Sequence, residues 1–347
     1  MEWINFLHLY QPMNADAVTI KEATEKSYYR IVRALEENPK IKFTLNINGC
    51  LLVRWDELGF HDIIKKINIL IKQGKIELTS TAAYHPLLPL ISSAEVKRQI
   101  ADNEKIIKKY FGNYKPRGFF LPELAYSEEV AKIIKSFKYK WIILDEIALN
   151  GKLNQVDFKQ VYLDKNSGLK IIFRSRHIDH TAEFEKLLKA EKLKTLTVSE
   201  FIDATKETTK ISPVACSWES TAEELKHNQP YILWYDKSNK IQLQLWRLAR
   251  LAYDIVEKHK SDKNYLRGRW HLVRGLASCT FWWASGRNLG PFSPIAWSPD
   301  EIERGINELV HAVRCLNNKK LSSVKIRTEK LVAQIRRDIW IKHWQKN

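Results

Sequence analysis

Cysteine is scarce in this 347-residue chain. Its four cysteines (Cys50, Cys216, Cys279, Cys315) are scattered, with no C-x-x-C pair and no histidine at ligand spacing. That argues against a disulfide framework or a structural zinc site and fits a reducing compartment, so a cytoplasmic location is expected. Glycine (12) and proline (11) are few, which excludes collagen-like and low-complexity chains. No apolar run approaches the roughly 18–20 residues that a membrane span needs, and no membrane partner is expected. The opening MEWINFLHLYQP has an acid at position 2 and no basic stretch before its apolar residues, so it does not read as a secretory signal. It reads as a strand that begins at once.

Hydrophobic residues make up 44% of the chain, enough to exclude intrinsic disorder. The length suits one large domain, or one large and one small, with a sizeable core. Lysine and arginine number 57 against 40 acidic residues, a formal net charge of +17. Such a balance raises nucleic-acid binding as a reading, which would show steep salt dependence. The lysines, however, are spread along every predicted helix instead of forming a patch, so no nucleic-acid partner is expected. Twelve tryptophans are present, most of them accounted for by core filling.

The first two thirds alternate β-rich runs with amphipathic helices. Strands are expected at 3–10, 42–48, 76–83, 118–122, 140–144 and 170–174, with 193–198 a candidate seventh and 211–216 a further candidate. Helical patterns fall at about 16–38, 60–73, 94–111, 127–137 and 182–190. In 127–137, Val130, Ile133, Ile134 and Phe137 form one stripe, with Ser127 as cap; Ser92 and Glu95 are spaced as a capping box. This alternation predicts a parallel α/β sheet, closed or open, over 1–222. After that the pattern changes to long helices at 239–259, 264–285, 299–317 and 321–345, a C-terminal helical bundle over 223–347. Ser298-Pro299-Asp300-Glu301 is a strong helix start.

In such sheets chemistry gathers at the carboxyl ends of strands. Those ends carry His8 and Gln11; Tyr84 and His85; Glu123; Asp145 and Glu146; and Arg174, Arg176, His177, Asp179 and His180. Any one of these could simply cap the next helix. Glu123 is the sharpest, because it follows the apolar run GFFLP and precedes Leu124-Ala125-Tyr126. A carboxylate there is desolvated and rigidly held, which suits a nucleophile or a general acid.

HLYQP (8–12), GKIELTSTAAYHPLLPL (74–90), GFFLPE (118–123), SWES (217–220) and SCTFWWAS (278–285) resemble, in order, the motifs of glycoside hydrolase family 57. The resemblance spans nearly the whole chain. It implies an irregular seven-stranded (β/α) barrel followed by a helical bundle, and activity on α-glucans such as starch, glycogen and maltodextrins. By motif match, Glu123 is the nucleophile, His8 lies by the sugar ring with Gln11 beside it, and His85 lies in the segment lining the cleft. Trp218, Trp282 and Trp283 are aromatic candidates for sugar stacking, each equally readable as core. The implied mechanism is retaining, with two carboxyl groups about 5–5.5 Å apart and no cofactor. The expected partner is an oligo- or polysaccharide substrate; no metal site is expected, and the oligomeric state is left open.

Three positions depart from the family pattern. Phe120 stands where the third motif usually has Trp, and Cys279 follows Ser278 where many members have Asp. The third departure concerns the general acid, an Asp in a D-G-E-like stretch between the sixth strand and the TLTVSEFI segment. Here FRSRHIDHT (173–181) leads through one short predicted helix to 195–202 without it. Either a nearby carboxyl replaces it, with Asp179 best placed and Asp145 and Glu146 as alternatives, or ordinary hydrolysis is lost. The leading expectation is a hydrolase or glucanotransferase with Glu123 and Asp179 as its catalytic pair. The competing readings are a non-catalytic glycan-binding protein on the same scaffold and a metal-dependent, polysaccharide deacetylase-like hydrolase. The last would use His8, His85, His177 and Asp179 as ligands but leave Glu123 without a role.

Overall fold

Alternation of side chains across short parallel strands organises the first two thirds of the molecule. The computed structural model describes residues 2–176, 194–288 and 295–345. Strand β1 (Glu2–Ile4) pairs in parallel with β9 (Lys194–Leu196). At Asn5 the chain changes partner, because its carbonyl accepts from Thr44 N–H (2.9 Å), and β2 (Phe6–Leu9) then pairs with β3 (Phe43–Ile47). The expected strand 3–10 is therefore two strands with different neighbours. β3 pairs with β4 (Ile76–Thr79). A parallel bridge between Ser80 and Phe119 carries the series on to β5 (Gly118–Phe119), β6 (Trp141–Asp145) and β8 (Lys170–Arg174). β7 (Val161–Asp164), a strand the sequence reading missed, is antiparallel to β8, and β10 (Thr208–Ile211) extends that edge. The strand expected at 211–216 thus lies at 208–211.

Side chains at even positions of β2 and β3 and odd positions of β4 face one way, and those at odd positions of β2 and β3 and even positions of β4 the other. Leu7, Leu45 and Leu78 share a register row and join an outer core under the helices at Tyr29–Glu37, Gly49–Glu57, His61–Lys72 and Ser93–Phe111. A second outer core collects Phe119, Ile142, Leu144, Ile171 and Phe173 beneath Glu128–Ser136. The opposite faces converge: Ile4, Phe6, Phe120, Trp141, Ile143 and Ile172 belong to one inner cluster. A shared inner cluster between two outer ones is what rolling the sheet produces. Among the described residues the ladders form three short sheets of two, three and five strands, and no ladder closes a seven-stranded ring. Gly118 lets the sheet roll tightly, since a Cβ there would lie 2.2 Å from the Trp141 indole. The buried Trp141 indole donates to Ser199 Oγ (3.0 Å), and Glu77 accepts from Ser199 N–H (3.0 Å), so both tie the sheet interior to the start of helix Val198–Ala204.

Compact units are formed by Met1–Ala83 with Leu88–Lys226, and by Tyr84–Leu87 with His227–Asn347. The second is helical: Lys240–Lys258, Tyr265–Gly275, Ser278–Trp282, Pro299–Arg314 and Ser322–Gln345. Ser298 caps Pro299–Arg314 by accepting from Glu301 N–H (3.4 Å). The stretch expected as one helix over 264–285 is broken at Ala277, whose backbone is extended (φ −53, ψ 138). Gly305 admits Thr280, which would stand 2.3 Å from a Cβ at that position. No helix among the described residues is long and apolar enough to cross a membrane. The helix expected at 182–190 lies outside the described residues.

Candidate active site

Glu123 sits just beyond the end of β5, in the single turn Pro122–Leu124. The turn is closed by Leu124 N–H to Leu121 O (2.9 Å) and Ala125 N–H to Pro122 O (3.1 Å). Within it Glu123 (φ 60, ψ 18) and Leu124 (φ 47) are both left-handed. For a residue with a Cβ that conformation costs about 1–2 kcal/mol, so two in succession persist only where neighbours hold them. The neighbour is the segment 216–218, running antiparallel: Tyr126 N–H donates to Cys216 O (2.8 Å) and Trp218 N–H to Glu123 O (3.1 Å). Tyr126 is itself anchored, its hydroxyl donating to Asp164 Oδ2 (3.0 Å). Trp218 then turns back, and its indole Nε1–H donates to Glu123 Oε2 at 2.8 Å. Both side chains are half-buried, and the indole ring packs on the inner cluster. An N–H donor favours the ionised carboxylate, the form a nucleophile needs.

His8 is set by strand register. His8, Asn46 and Thr79 occupy one row across β2, β3 and β4. Their side chains therefore touch: His8 Nδ1 to Asn46 Oδ1 (2.8 Å), and Asn46 Nδ2 to Thr79 Oγ1 (2.9 Å) and to the Ser80 carbonyl (3.4 Å). A carbonyl only accepts, so Asn46 presents its NH2 to Ser80 and its oxygen to His8. His8 Nδ1 accordingly carries the proton, and Nε2 is the acceptor. The imidazole also stacks on Phe120, ring centroids 4.4 Å apart, which gives the Trp-to-Phe departure a clear structural part. Burial lowers the His8 pKa to about 4 despite the hydrogen bond with Asn46. Yet the side chain keeps substantial accessible surface. His8 is therefore uncharged at neutral pH and still reachable from solvent. Asn46, inside the apolar run FTLNI, gave no signal in the sequence.

The other predicted residues are placed as follows. Gln11 is half-buried; its side chain is hydrogen-bonded with Tyr28, and its carbonyl accepts from the Cys50 thiol (3.2 Å). Asp145, fully buried at the end of β6, takes Arg176 Nε on both oxygens (2.8 and 3.0 Å) and Ile147 N–H (3.1 Å). Burial pushes its carboxyl up and the Arg176 guanidinium pulls it back. Glu146 accepts from the backbone N–H groups of Asn154 and Arg176, both at 2.8 Å. Asp145 and Glu146 thus hold the loop together. Asp179 and His177 lie outside the described residues. In the second unit His85 is buried, left-handed (φ 55), and reciprocally bonded to Ser278: Nδ1 to Oγ at 3.0 Å, and Ser278 N–H to His85 O at 2.9 Å. Trp282 and Trp283 are half-buried and meet edge to face, centroids 4.3 Å apart. Among the described residues no three His, Cys, Asp or Glu side chains stand together as a metal-holding group.

Glu123 thus lies just beyond a parallel strand end, three residues after Phe120, on which His8 stacks. The chain belongs to glycosyl hydrolase family 57, whose sequence pattern matches residues 3–246. An alpha-amylase of Pyrococcus horikoshii is 30% identical over 176 residues, which cover 50% of this chain and 27% of that protein. A 4-alpha-glucanotransferase of Thermococcus litoralis is 28% identical over 149 residues, 42% of this chain and 22% of that protein. The matched segments therefore span less than a third of the length of these relatives. The crystal structure of a branching enzyme from Thermococcus kodakaraensis superposes with a TM-score of 0.68 at 14% identity, covering 96% of this chain and 94% of that one. That of the T. litoralis glucanotransferase gives 0.66 at 16%, covering 92% and 59%. These likenesses show the fold, an α/β body with a helical C-terminal region.

Proposed function

We propose that this chain is an α-glucan-active retaining glycoside hydrolase or glucanotransferase, built on an irregular seven-stranded barrel, with Glu123 as nucleophile. The observation that carries the reading is the Glu123 carboxylate, held by Trp218 in a strained turn at a strand end, in a chain of this family. In the reaction Glu123 attacks the anomeric carbon while a second carboxyl protonates the departing oxygen; water or a sugar hydroxyl then releases the glycosyl group. His8, neutral and with Nε2 as acceptor, suits a sugar hydroxyl that donates. Gln11, His85, Trp282 and Trp283 complete the proposed substrate-binding set, and Trp218 enters it through its hold on the Glu123 carboxylate. The commitments of Asp145 to Arg176 and of Glu146 to two backbone amides make them poor proton donors, which leaves Asp179 as the proposed acid.

Incubating the chain with maltoheptaose tests the reading. Native protein should convert the sugar and Glu123→Gln should not. Products longer than maltoheptaose identify transfer, and shorter ones alone identify hydrolysis. Equal inertness of the two proteins, with binding retained, would replace catalysis by glycan binding.

A further inference from the structure

We infer that Trp218 is a positioning residue for the Glu123 carboxylate, acting through its indole N–H more than through its ring face; this rests on Glu123 being the nucleophile. Three features converge on that role. The indole Nε1–H donates to Glu123 Oε2 at 2.8 Å while the same residue's backbone N–H donates to Glu123 O at 3.1 Å. Trp218 thus grips both ends of one residue and fixes the carboxylate relative to its own backbone. The ring is packed on the inner cluster that also holds Phe6, Phe120 and Trp141. That packing orients the N–H and commits ring surface to protein.

The third feature is the turn that carries Trp218. Ser217 and Ser220 are both buried, their hydroxyls lie 3.0 Å apart, and Ser217 N–H donates to Ser220 Oγ at 2.8 Å. Ser220 N–H returns to Ser217 O at 3.3 Å. Two buried hydroxyls thereby close a tight loop around Trp218 and Glu219, so the indole is set before any substrate arrives. Preorganised donors of this kind act without rearranging during the reaction. A neutral donor on Oε2 holds the carboxylate in one rotamer and favours its ionised form.

The experiment uses the full chain in two ways. In 15N-labelled protein the Trp218 indole signal, identified as the one missing from Trp218→Phe, should shift with pH as Glu123 titrates and should stand still in Glu123→Gln. A signal that ignores pH in the native chain, or that moves equally in Glu123→Gln, overturns the inference. On maltoheptaose, Trp218→Phe should lose about 10- to 100-fold in kcat, the scale of one hydrogen bond to a charged group. Its KM should stay within about threefold of native, as expected when ground-state binding is kept, and the acidic limb of its pH profile should move up. Ser220→Ala should show a smaller change of the same sign. A raised KM with kcat preserved would make Trp218 a stacking platform and overturn the proposal. Turnover retained in Glu123→Gln would remove the nucleophile, and this proposal with it. An inert Glu123→Gln beside a native-like Trp218→Phe would remove the proposal alone.

Discussion

Replacing Asn46 by leucine tests the row that sets His8. Asn46 is fully buried, and its side chain bridges His8 Nδ1 (2.8 Å) and Thr79 Oγ1 (2.9 Å). Leucine fills a similar shape but offers neither group a partner. The Ser80 carbonyl keeps its bond from Phe120 N–H (2.8 Å), so only His8 and Thr79 are deprived. At about 1–3 kcal/mol for each polar group left without its partner, the exposure of His8 to water trimming its share, Asn46→Leu should cost about 2–4 kcal/mol. In a His8→Phe background one of the two groups no longer needs a partner, so the same substitution should cost at least about 1 kcal/mol less, a coupling typical of residues in direct contact. Urea unfolding followed by tryptophan fluorescence at pH 7, where His8 is neutral, measures both. A loss below about 0.5 kcal/mol, the size of an ordinary surface change, or strict additivity of the two substitutions would refute the row.

Acid should weaken the fold through His8. Its folded pKa of about 4 lies below the ordinary 6.5, so the unfolded chain binds the proton first. This contribution to stability is fully present above pH 6.5 and is lost as pH falls toward 4; His8→Phe should flatten that part of the stability curve, and an imidazole that titrates near 6.5 by NMR would contradict it. Arg176→Met leaves the fully buried Asp145 carboxylate with the Ile147 N–H (3.1 Å) and the more distant Arg174 (3.9 Å) and should cost about 3 kcal/mol by chemical denaturation, with Asp145→Asn in the same chain restoring part. Gly118→Ala drives a methyl to 2.2 Å from the Trp141 indole and should cost about 3 kcal/mol; a melting temperature equal to native would show that the sheet can give way there.

Much of the scaffold was legible because local signals agreed with the fold. The caps at Ser92, Ser127 and Ser298 stand where the sequence put them, accepting from Glu95, Val130 and Glu301 N–H. Errors came where one element follows another without punctuation. Helix Gly49–Glu57 starts directly after β3, with Asn48 capping Cys50 N–H (3.1 Å), and no element was expected there. Helix Val198–Ala204 has a complete capping box at Thr197 and Glu200, yet no helix was expected there, and the cap residue Thr197 fell within the strand expected over 193–198. The 16–38 stretch hides a π-helical turn, Thr24–Tyr28, where Thr24 Oγ1 accepts from the Trp55 indole (2.9 Å). At the candidate site, Glu123 was legible as a polar residue after an apolar run. Its clamp was not, since hydrogen bonds between 123–126 and 216–218 leave no periodicity in the chain, and Asn46 looks like an interruption of a strand until register places it beside His8.

The clamp has a temporal side. Trp218 reaches Glu123 across 95 positions, and closing so wide a loop is slow compared with forming any neighbouring helix. On the ribosome β5 and the helix after it can assemble first, while the left-handed turn at 123 waits, unsupported, for its late-arriving partner. The corner that carries Glu123 then matures after the strands around it, so a nascent chain has that part of its sheet before the carboxylate is set.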